Sequence, residues 1–225
     1  GKNYSTEFTY SSLPEPLFQA STFDWADSGL KSLIGRLWQQ AYYVIANCNN
    51  IIIQVESKSP DFFEYEETEK NMILGEMYGI RALIHFEINR LFCPAPVSGS
   101  TSTMPYVTEY PAYHPEHIAS GKVLEYIVRD MQKAVRLLAE ADTVFAFSSW
   151  QSTAYRFSVN SGSQYSNRFF NSRGYRMNYC AARALLARIY QYKGDTELAY
   201  KEACAVKELH QKFNIRFTDE SNQYN

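Results

Sequence analysis

Residues 177–213 read MNYCAARALLARIYQYKGDTELAYKEACAVKELHQKF, and this stretch decides the fold. Apolar and small side chains recur with the 3.6-residue period of an α-helix on both sides of Gly194-Asp195, a pair that favours a turn. The pattern therefore predicts one helix over 177–193 and a second over 196–213. Alanines at several of the periodic positions would let the two helices pack closely as a hairpin.

The hairpin has small and large side chains in the order that is typical of a tetratricopeptide repeat. These positions are Leu186, Ala187, Tyr190, Gly194, Ala199, Ala203 and Val206. One such hairpin cannot bury its own apolar face, so it must stack on other helices. We expect the neighbour to be a pair of helices over about 33–55 and 66–92.

The remaining sequence predicts helices over about 33–55, 66–92 and 119–141, separated by two long loops. Apolar side chains follow the helical period in all three segments, and acidic residues open the second one, where they favour the positive end of the helix dipole. Five prolines exclude a helix in the loop over about 93–118. The loop over about 143–174 has no helical period. The fold class that we expect is all-α, with tetratricopeptide-like helical hairpins and long irregular loops in a single domain over 1–225.

The composition favours neutral ligands over charged ones. The 225 residues carry a formal charge of −2, from 22 basic and 24 acidic side chains, which excludes the basic footprint of a nucleic-acid-binding protein. The 18 Tyr, 14 Phe and 3 Trp combine apolar rings with polar handles, which suits hydroxyl-rich or peptidic ligands. The longest uncharged run, 37–55, contains six Asn and Gln residues, so we predict no transmembrane helix.

Gly75 and Gly79 lie four residues apart in the interior of the predicted helix over 66–92. A glycine in a helix interior costs about 1 kcal/mol relative to alanine. Two of them on one face therefore suggest that another backbone approaches the helix closely.

Four segments together resemble the SusD/RagB family of nutrient-binding outer-membrane lipoproteins of Bacteroidetes. They are Trp38-x3-Tyr42-x2-Ile45-Ala46-Asn47, then 75–86 (GEMYGIRALIHF), then 127–134 (IVRDMQKA), and 181–195 (AARALLARIYQYKGD). The resemblance covers most of 33–213 and departs from the family at Cys93, where glycine is usual. The segments match only the N-terminal, helical-repeat part of that family, so we expect the sequence to be a piece of a longer protein.

The resemblance implies a non-enzymatic protein on the cell surface, at the outer membrane. Family members cover a TonB-dependent transporter and capture a glycan or oligosaccharide, or in some cases a peptide, for import. They are held to the membrane by a lipid anchor, which we expect to lie in the full-length protein outside this sequence. We predict no cofactor and no metal site. Its motif residues, which we interpret as structural, are Trp38, Tyr42, Asn47, Gly75, Glu76, Gly79, Arg81, Gly194 and Asp195.

Three motif residues are predicted to have packing roles rather than to contact a ligand. Arg81 on a glycine-packed helix is expected to pair with a carboxylate or to cap a neighbouring helix. Trp38 and Tyr42 lie on the apolar stripe of the predicted helix over 33–55, as core aromatic residues do.

The first candidate ligand site is Asp24, Trp25 and Asp27, ahead of the first predicted helix. A sugar site needs a flat aromatic ring for the apolar face of the sugar and polar groups for its hydroxyls, and these three residues supply both. The alternative is that Trp25 fills a gap while Asp27 or Ser28 caps the next helix.

The second candidate site is Trp150 and Tyr155, within an aromatic segment of the loop over 143–174. This segment would serve either as a binding platform or as a flap that packs against the other half of the protein.

No sequence pattern of a catalytic or metal site stands out. His114, Glu116 and His117 lie in a proline-broken loop that does not fix them on one face, so they predict no metal site. Two functions other than glycan capture stay open. One is a tetratricopeptide-type interaction scaffold without a ligand of its own. The other is a glycan-cleaving enzyme, which would need two carboxylates about 5–10 Å apart in a cleft.

Overall fold

The computed structural model describes residues 15–94, 101–145 and 172–212. These contain six α-helices: α1 (Glu15–Ser21), α2 (Ser28–Glu56), α3 (Glu66–Phe92), α4 (Ser120–Glu140), α5 (Tyr179–Lys193) and α6 (Thr196–Lys212). Two short strands, β1 (Ser102–Pro105) and β2 (His117–Ala119), and three short 3-10 or π-helical turns are also described. The predicted all-α class of helical hairpins is confirmed.

The chain divides into two compact units, Gly1–Val44 and Ile45–Asn225. The single domain expected over 1–225 stays a prediction. No helix in the described ranges has the length and apolar character that crossing a membrane requires.

Helix α2 begins five residues before the predicted start at 33. The Asp27 Oδ1 atom accepts a hydrogen bond of 2.7 Å from the Leu30 backbone N–H, which caps the first turn. Residues 28–32 are mostly small or polar, so the hydrophobic period does not reveal this turn. Helix α1, with seven residues, is too short for periodicity to predict.

Helices α3 and α4 form an antiparallel pair at the centre of the second unit. Gly75 lies against Leu138, near the end of α4, and a Cβ atom on this glycine would be 2.7 Å from the Leu138 Cγ atom. A Cβ atom on Gly79 would be 2.8 Å from the Met177 Cγ atom. The two glycines do accommodate a close approach, but side chains approach them rather than the backbone that we expected.

Helices α5 and α6 form the predicted hairpin around Gly194, which has a φ of +92° at the end of α5. The Gly194 and Asp195 N–H groups donate to the Gln191 and Tyr190 carbonyls and so complete a helix C-cap. Helix α5 begins at Tyr179, two residues later than predicted, because the Asn178 side chain caps it by accepting from the Ala181 N–H.

The stacking partner of this hairpin differs from the one that we predicted. Helix α5 packs chiefly on α4 and touches α3 in only a narrow contact. The Gln132 side chain on α4 donates a 2.8 Å hydrogen bond to the Tyr190 hydroxyl on α5. Helix α4 has a fully buried apolar stripe, including Val123 and Ile127, and therefore pairs with both neighbours.

The predicted loop over 93–118 is not a purely irregular surface segment. Strands β1 and β2 pair antiparallel, with Met104 opposite Ile118 and Pro105 opposite His117. Met104 and Val107 are buried. Prolines exclude a helix here, as predicted, but they do not prevent a short ribbon whose apolar side chains reach the core. Of the predicted loop over 143–174, a π-helical turn (Ala141–Phe145) and a 3-10 turn (Arg173–Tyr175) are described.

Candidate functional site

The first predicted ligand site lies in the first unit, just before α2. The Trp25 side chain is 57% exposed and contacts the Phe23 ring edge-on, with 6.2 Å between the ring centroids. The Asp24 Oδ1 atom accepts from the Ala26 N–H at 3.2 Å. Asp27 holds the helix cap that we gave as its alternative role. Ligand contact by Asp24, Trp25 and Asp27 stays a prediction.

The second predicted site cannot be placed in the same way, because Trp150 and Tyr155 lie outside the described residues. Their role as a platform or as a packing flap also stays a prediction.

The motif residues on α2 and α3 have structural contacts. Trp38 and Tyr42 are both half-buried, with 5.0 Å between their ring centroids. Asn47, in contrast, is exposed. Glu76 is buried and forms salt bridges with Arg173 and Arg176.

Arg81 does pair with a carboxylate. Its guanidinium lies 2.6 Å from Asp130 on α4, and both side chains are almost completely buried. A second hydrogen bond of 2.8 Å runs from the Arg81 Nη1 atom to the Asn49 Oδ1 atom on α2. Arg81 therefore joins three helices at the centre of the second unit.

A cleft of about 350 Å³ opens beside this buried pair. It is lined by the segment between the two strands and by one residue each of β2 and α4. The lining residues are Tyr106, Val107, Thr108, Glu109, Ala112, Tyr113, His114, Pro115, Glu116, Ile118 and Tyr126.

The inner wall of the cleft is formed by Tyr106. Its ring stacks on the buried His85 imidazole, with 4.0 Å between the centroids, and its hydroxyl donates a 2.6 Å hydrogen bond to the Asp130 Oδ2 atom. Burial and the negative charge of Asp130 raise the pKa of Tyr106 well above its usual value. The hydroxyl therefore stays protonated and remains the donor to Asp130.

The backbone of the segment 106–109 is held by side chains from two helices. The Asn49 Nδ2 atom donates to the carbonyls of Val107 and Glu109, at 3.1 and 3.2 Å. The Val107 N–H donates to the His85 Nε2 atom at 3.1 Å. With Nε2 as acceptor, the neutral imidazole carries its proton on Nδ1, which donates to the Arg81 carbonyl at 2.9 Å.

His85 makes the stability of this unit dependent on pH. Burial lowers the pKa of His85 from 6.5 to about 3; the hydrogen bond to the Arg81 carbonyl opposes this shift, and the positive charge of Arg81 contributes to it. In the unfolded chain the imidazole has its ordinary pKa, so protonation favours unfolding. The stabilisation is present above pH 6.5 and is lost as the pH falls towards 3. We expect the free energy of unfolding to fall by about 2 kcal/mol between pH 6.5 and about pH 5.

Urea denaturation at a series of pH values measures this effect. The variant His85→Gln should have a shallower slope of unfolding free energy against pH in that window, whatever its absolute stability. His114→Gln is the matched control, because His114 is exposed and its removal should leave the slope unchanged. Equal slopes for the wild type and His85→Gln would show that His85 does not cause the pH dependence of stability.

The comparisons with known proteins agree with this architecture. The SusD-like family, described as starch-binding and associating with the outer membrane, matches residues 7–158. The chain belongs to this family. No curated protein matches it.

Solved structures with a similar fold come from Bacteroides. A SusD superfamily protein from Bacteroides vulgatus has a TM-score of 0.61 and 22% identity, with 84% of this chain and 36% of that chain covered. A SusD superfamily protein from Bacteroides thetaiotaomicron has a TM-score of 0.58 and 24% identity, with 83% of this chain and 34% of that chain covered. A putative sugar binding protein from Bacteroides vulgatus has a TM-score of 0.58 and 23% identity, with 78% of this chain and 33% of that chain covered. The SusD-like chain therefore spans about a third of the length of these proteins and shares their fold.

The cleft of this SusD-like chain was not predicted from the sequence. The sequence does contain a signal for it, namely three tyrosines within eight residues, at 106, 110 and 113. The prediction of an irregular loop did not use this signal. Glu116 and His114 had been considered only as metal ligands. No group of three or more His, Cys, Asp or Glu side chains in the described ranges is placed to hold a metal ion.

Proposed function

We propose that this SusD-like chain is the helical scaffold half of a non-catalytic, glycan-binding protein on the cell surface. The observation that carries the proposal is the match of residues 7–158 to a family described as starch-binding and associating with the outer membrane. The similarity to a putative sugar binding protein supports it. The proposed role is binding without cleavage, since the family description names binding alone.

Two features of the chain support glycan capture. The exposed Trp25 ring offers a flat apolar surface, and Asp24 lies beside it in the sequence. The formal charge of −2 is close to zero for 225 residues and suits a neutral polymer better than an anionic one.

Isothermal titration with soluble amylopectin tests this function. We expect saturable binding by the wild type. Because truncation of an aromatic side chain at the centre of a binding surface costs about 2 kcal/mol, Trp25→Ala should bind about 30-fold more weakly. Trp25→Phe should keep most of the affinity.

The same titration separates this function from its alternative. A pure interaction scaffold would give no response to amylopectin or to other soluble polysaccharides. Binding that is unchanged in Trp25→Ala would leave glycan capture in place but would contradict the site at 24–27.

We further propose, from the family resemblance, that the whole protein is lipid-anchored in the outer membrane and assembles with a TonB-dependent transporter for nutrient uptake. The full-length protein, tagged and purified from detergent-solubilised outer membranes, should copurify with such a transporter in mass spectrometry. An unrelated tagged outer-membrane lipoprotein is the control. Recovery without any transporter would contradict the partnership.

A further inference from the structure

We propose that the cleft formed by the segment 106–116, Ile118 of β2 and Tyr126 of α4 is a subsite for one or two sugar units of a neutral polysaccharide. The inference rests on the proposed glycan-binding function and assigns part of it to residues of the second unit. Its main contacts would be Tyr113, Tyr126, Glu109 and Glu116, all of which line the cleft.

The size of the cleft suits a small part of a polymer. Pockets that bind small molecules are usually about 300–1,000 Å³ in volume. The volume of about 350 Å³ lies at the lower end of this range and matches one or two sugar rings better than a longer oligosaccharide.

The aromatic side chains offer surfaces for the apolar faces of a sugar. Tyr113 is 80% exposed although it lines a concave surface, so packing within the described residues does not account for its position. Tyr126 is half-buried and forms the α4 side of the cleft. A tyrosine ring presents both a flat apolar face and a hydroxyl, the two properties that a ring with many hydroxyl groups requires.

The carboxylates of Glu109 and Glu116 supply the acceptors. Both residues are exposed, and neither forms a salt bridge within the described part of the chain. An ionised carboxylate accepts hydrogen bonds from hydroxyl groups and repels phosphate, sulfate and uronate groups. The two carboxylates therefore disfavour an anionic polymer.

On the α4 side of the cleft the charges near Tyr126 are paired, because Lys122 forms a salt bridge with Glu125 and Arg129 contacts Asp130. Lys122 and Arg129 both lie over the Tyr126 ring, 5.3 and 4.8 Å from its centroid. Two acceptor carboxylates on one side and ion-paired cations on the other suit a neutral ligand with hydroxyl groups better than an anionic one.

The base of the cleft is organised before any ligand binds. The Asn49, His85 and Asp130 side chains hold the backbone and ring of residues 106–109 through buried or partly buried hydrogen bonds. A site whose backbone is already fixed loses less conformational entropy on binding. This rigid base distinguishes the cleft from a chance depression between surface loops.

Isothermal titration of the 225-residue chain with amylopectin, xyloglucan and galactomannan tests the subsite. We expect Tyr113→Ala to weaken binding of the preferred polymer about tenfold, and Glu116→Gln about threefold or more. Tyr113→Phe should keep the ring contact and most of the affinity. Polygalacturonate, an anionic polymer, should bind more weakly than the neutral ones.

The matched control is Tyr200→Ala, which removes a tyrosine of similar exposure, 73%, from α6. Wild-type binding that is unchanged in Tyr113→Ala and in Glu116→Gln would overturn the subsite and leave the proposed function intact. No binding of any of the polymers by the wild type would overturn both. A third outcome would overturn the sugar assignment in favour of a peptide. In it the wild type binds tryptic casein peptides but no polysaccharide, and Tyr113→Ala loses the peptide binding.

Discussion

Replacing Arg173 with methionine is expected to lower the free energy of unfolding by about 3–5 kcal/mol, because it removes a buried cation that the carboxylates of Glu76 and Asp142 share. The Arg173 side chain is only 2% exposed. Its Nε and Nη2 atoms donate to the two oxygens of Asp142, each at 2.8 Å, and its Nη1 atom donates to Glu76. Methionine keeps much of the volume, so the loss would report on charge rather than on a cavity.

Arg173 also connects segments that are far apart in the sequence. Glu76 lies on α3, and Asp142 lies in the turn after α4, where its Oδ2 atom also accepts from the Tyr179 N–H at the start of α5. The Arg173 Nη2 atom donates in addition to the Met177 carbonyl. Loss of this cation should therefore loosen the entry to α5 as well as the contact between α3 and the turn.

Urea denaturation followed by circular dichroism measures the change, with Lys122→Met as the control. Lys122 forms an exposed pair with Glu125, and such pairs contribute little to stability, so this variant should unfold at the wild-type midpoint. If Arg173→Met unfolds at the same urea concentration as Lys122→Met, the buried cluster does not stabilise the fold.

The sequence predicted α3 to α6 to within a few residues, because helical periodicity is a local property of the chain. The family motif also singled out Glu76 and Arg81 as structural. It did not reveal Arg173, which lies 97 residues from Glu76 in a segment without periodicity. A contact between such distant residues leaves no local pattern.

The cleft escaped prediction for the same reason. The hydrogen bond from Asn49 to the Val107 carbonyl joins residues 58 apart, and Tyr106 is 24 residues from Asp130. The prolines of the loop correctly predicted that no helix forms there. They could not indicate that Met104 and Val107 are buried, since that depends on the surfaces of α3 and α4.

Replacing Arg81 with methionine is expected to have the other large effect, again about 3–5 kcal/mol of unfolding free energy. Asp130 would keep the Tyr106 hydroxyl and a 3.4 Å contact with Arg129, which is half exposed, but would lose its buried partner. The double variant Arg81→Met/Asp130→Leu should be more stable than the sum of its single changes predicts, because a charge without a partner costs more than an apolar pair. Strict additivity in this double-mutant cycle would show that Arg81 and Asp130 do not interact energetically.

The Arg81 variant should also loosen the base of the cleft more than it loosens the rest of the unit. Arg81 contacts both Asn49 and Asp130. Asn49 donates to backbone carbonyls of the segment 106–109, and Asp130 accepts from the Tyr106 hydroxyl. Hydrogen exchange of the Val107 amide, which donates to His85, reports on this segment, and the Ala199 amide in α6 serves as the reference. We expect Val107 exchange in Arg81→Met to accelerate more than Ala199 exchange. Equal acceleration of the two amides would mean that Arg81 stabilises the unit as a whole and does not position the cleft.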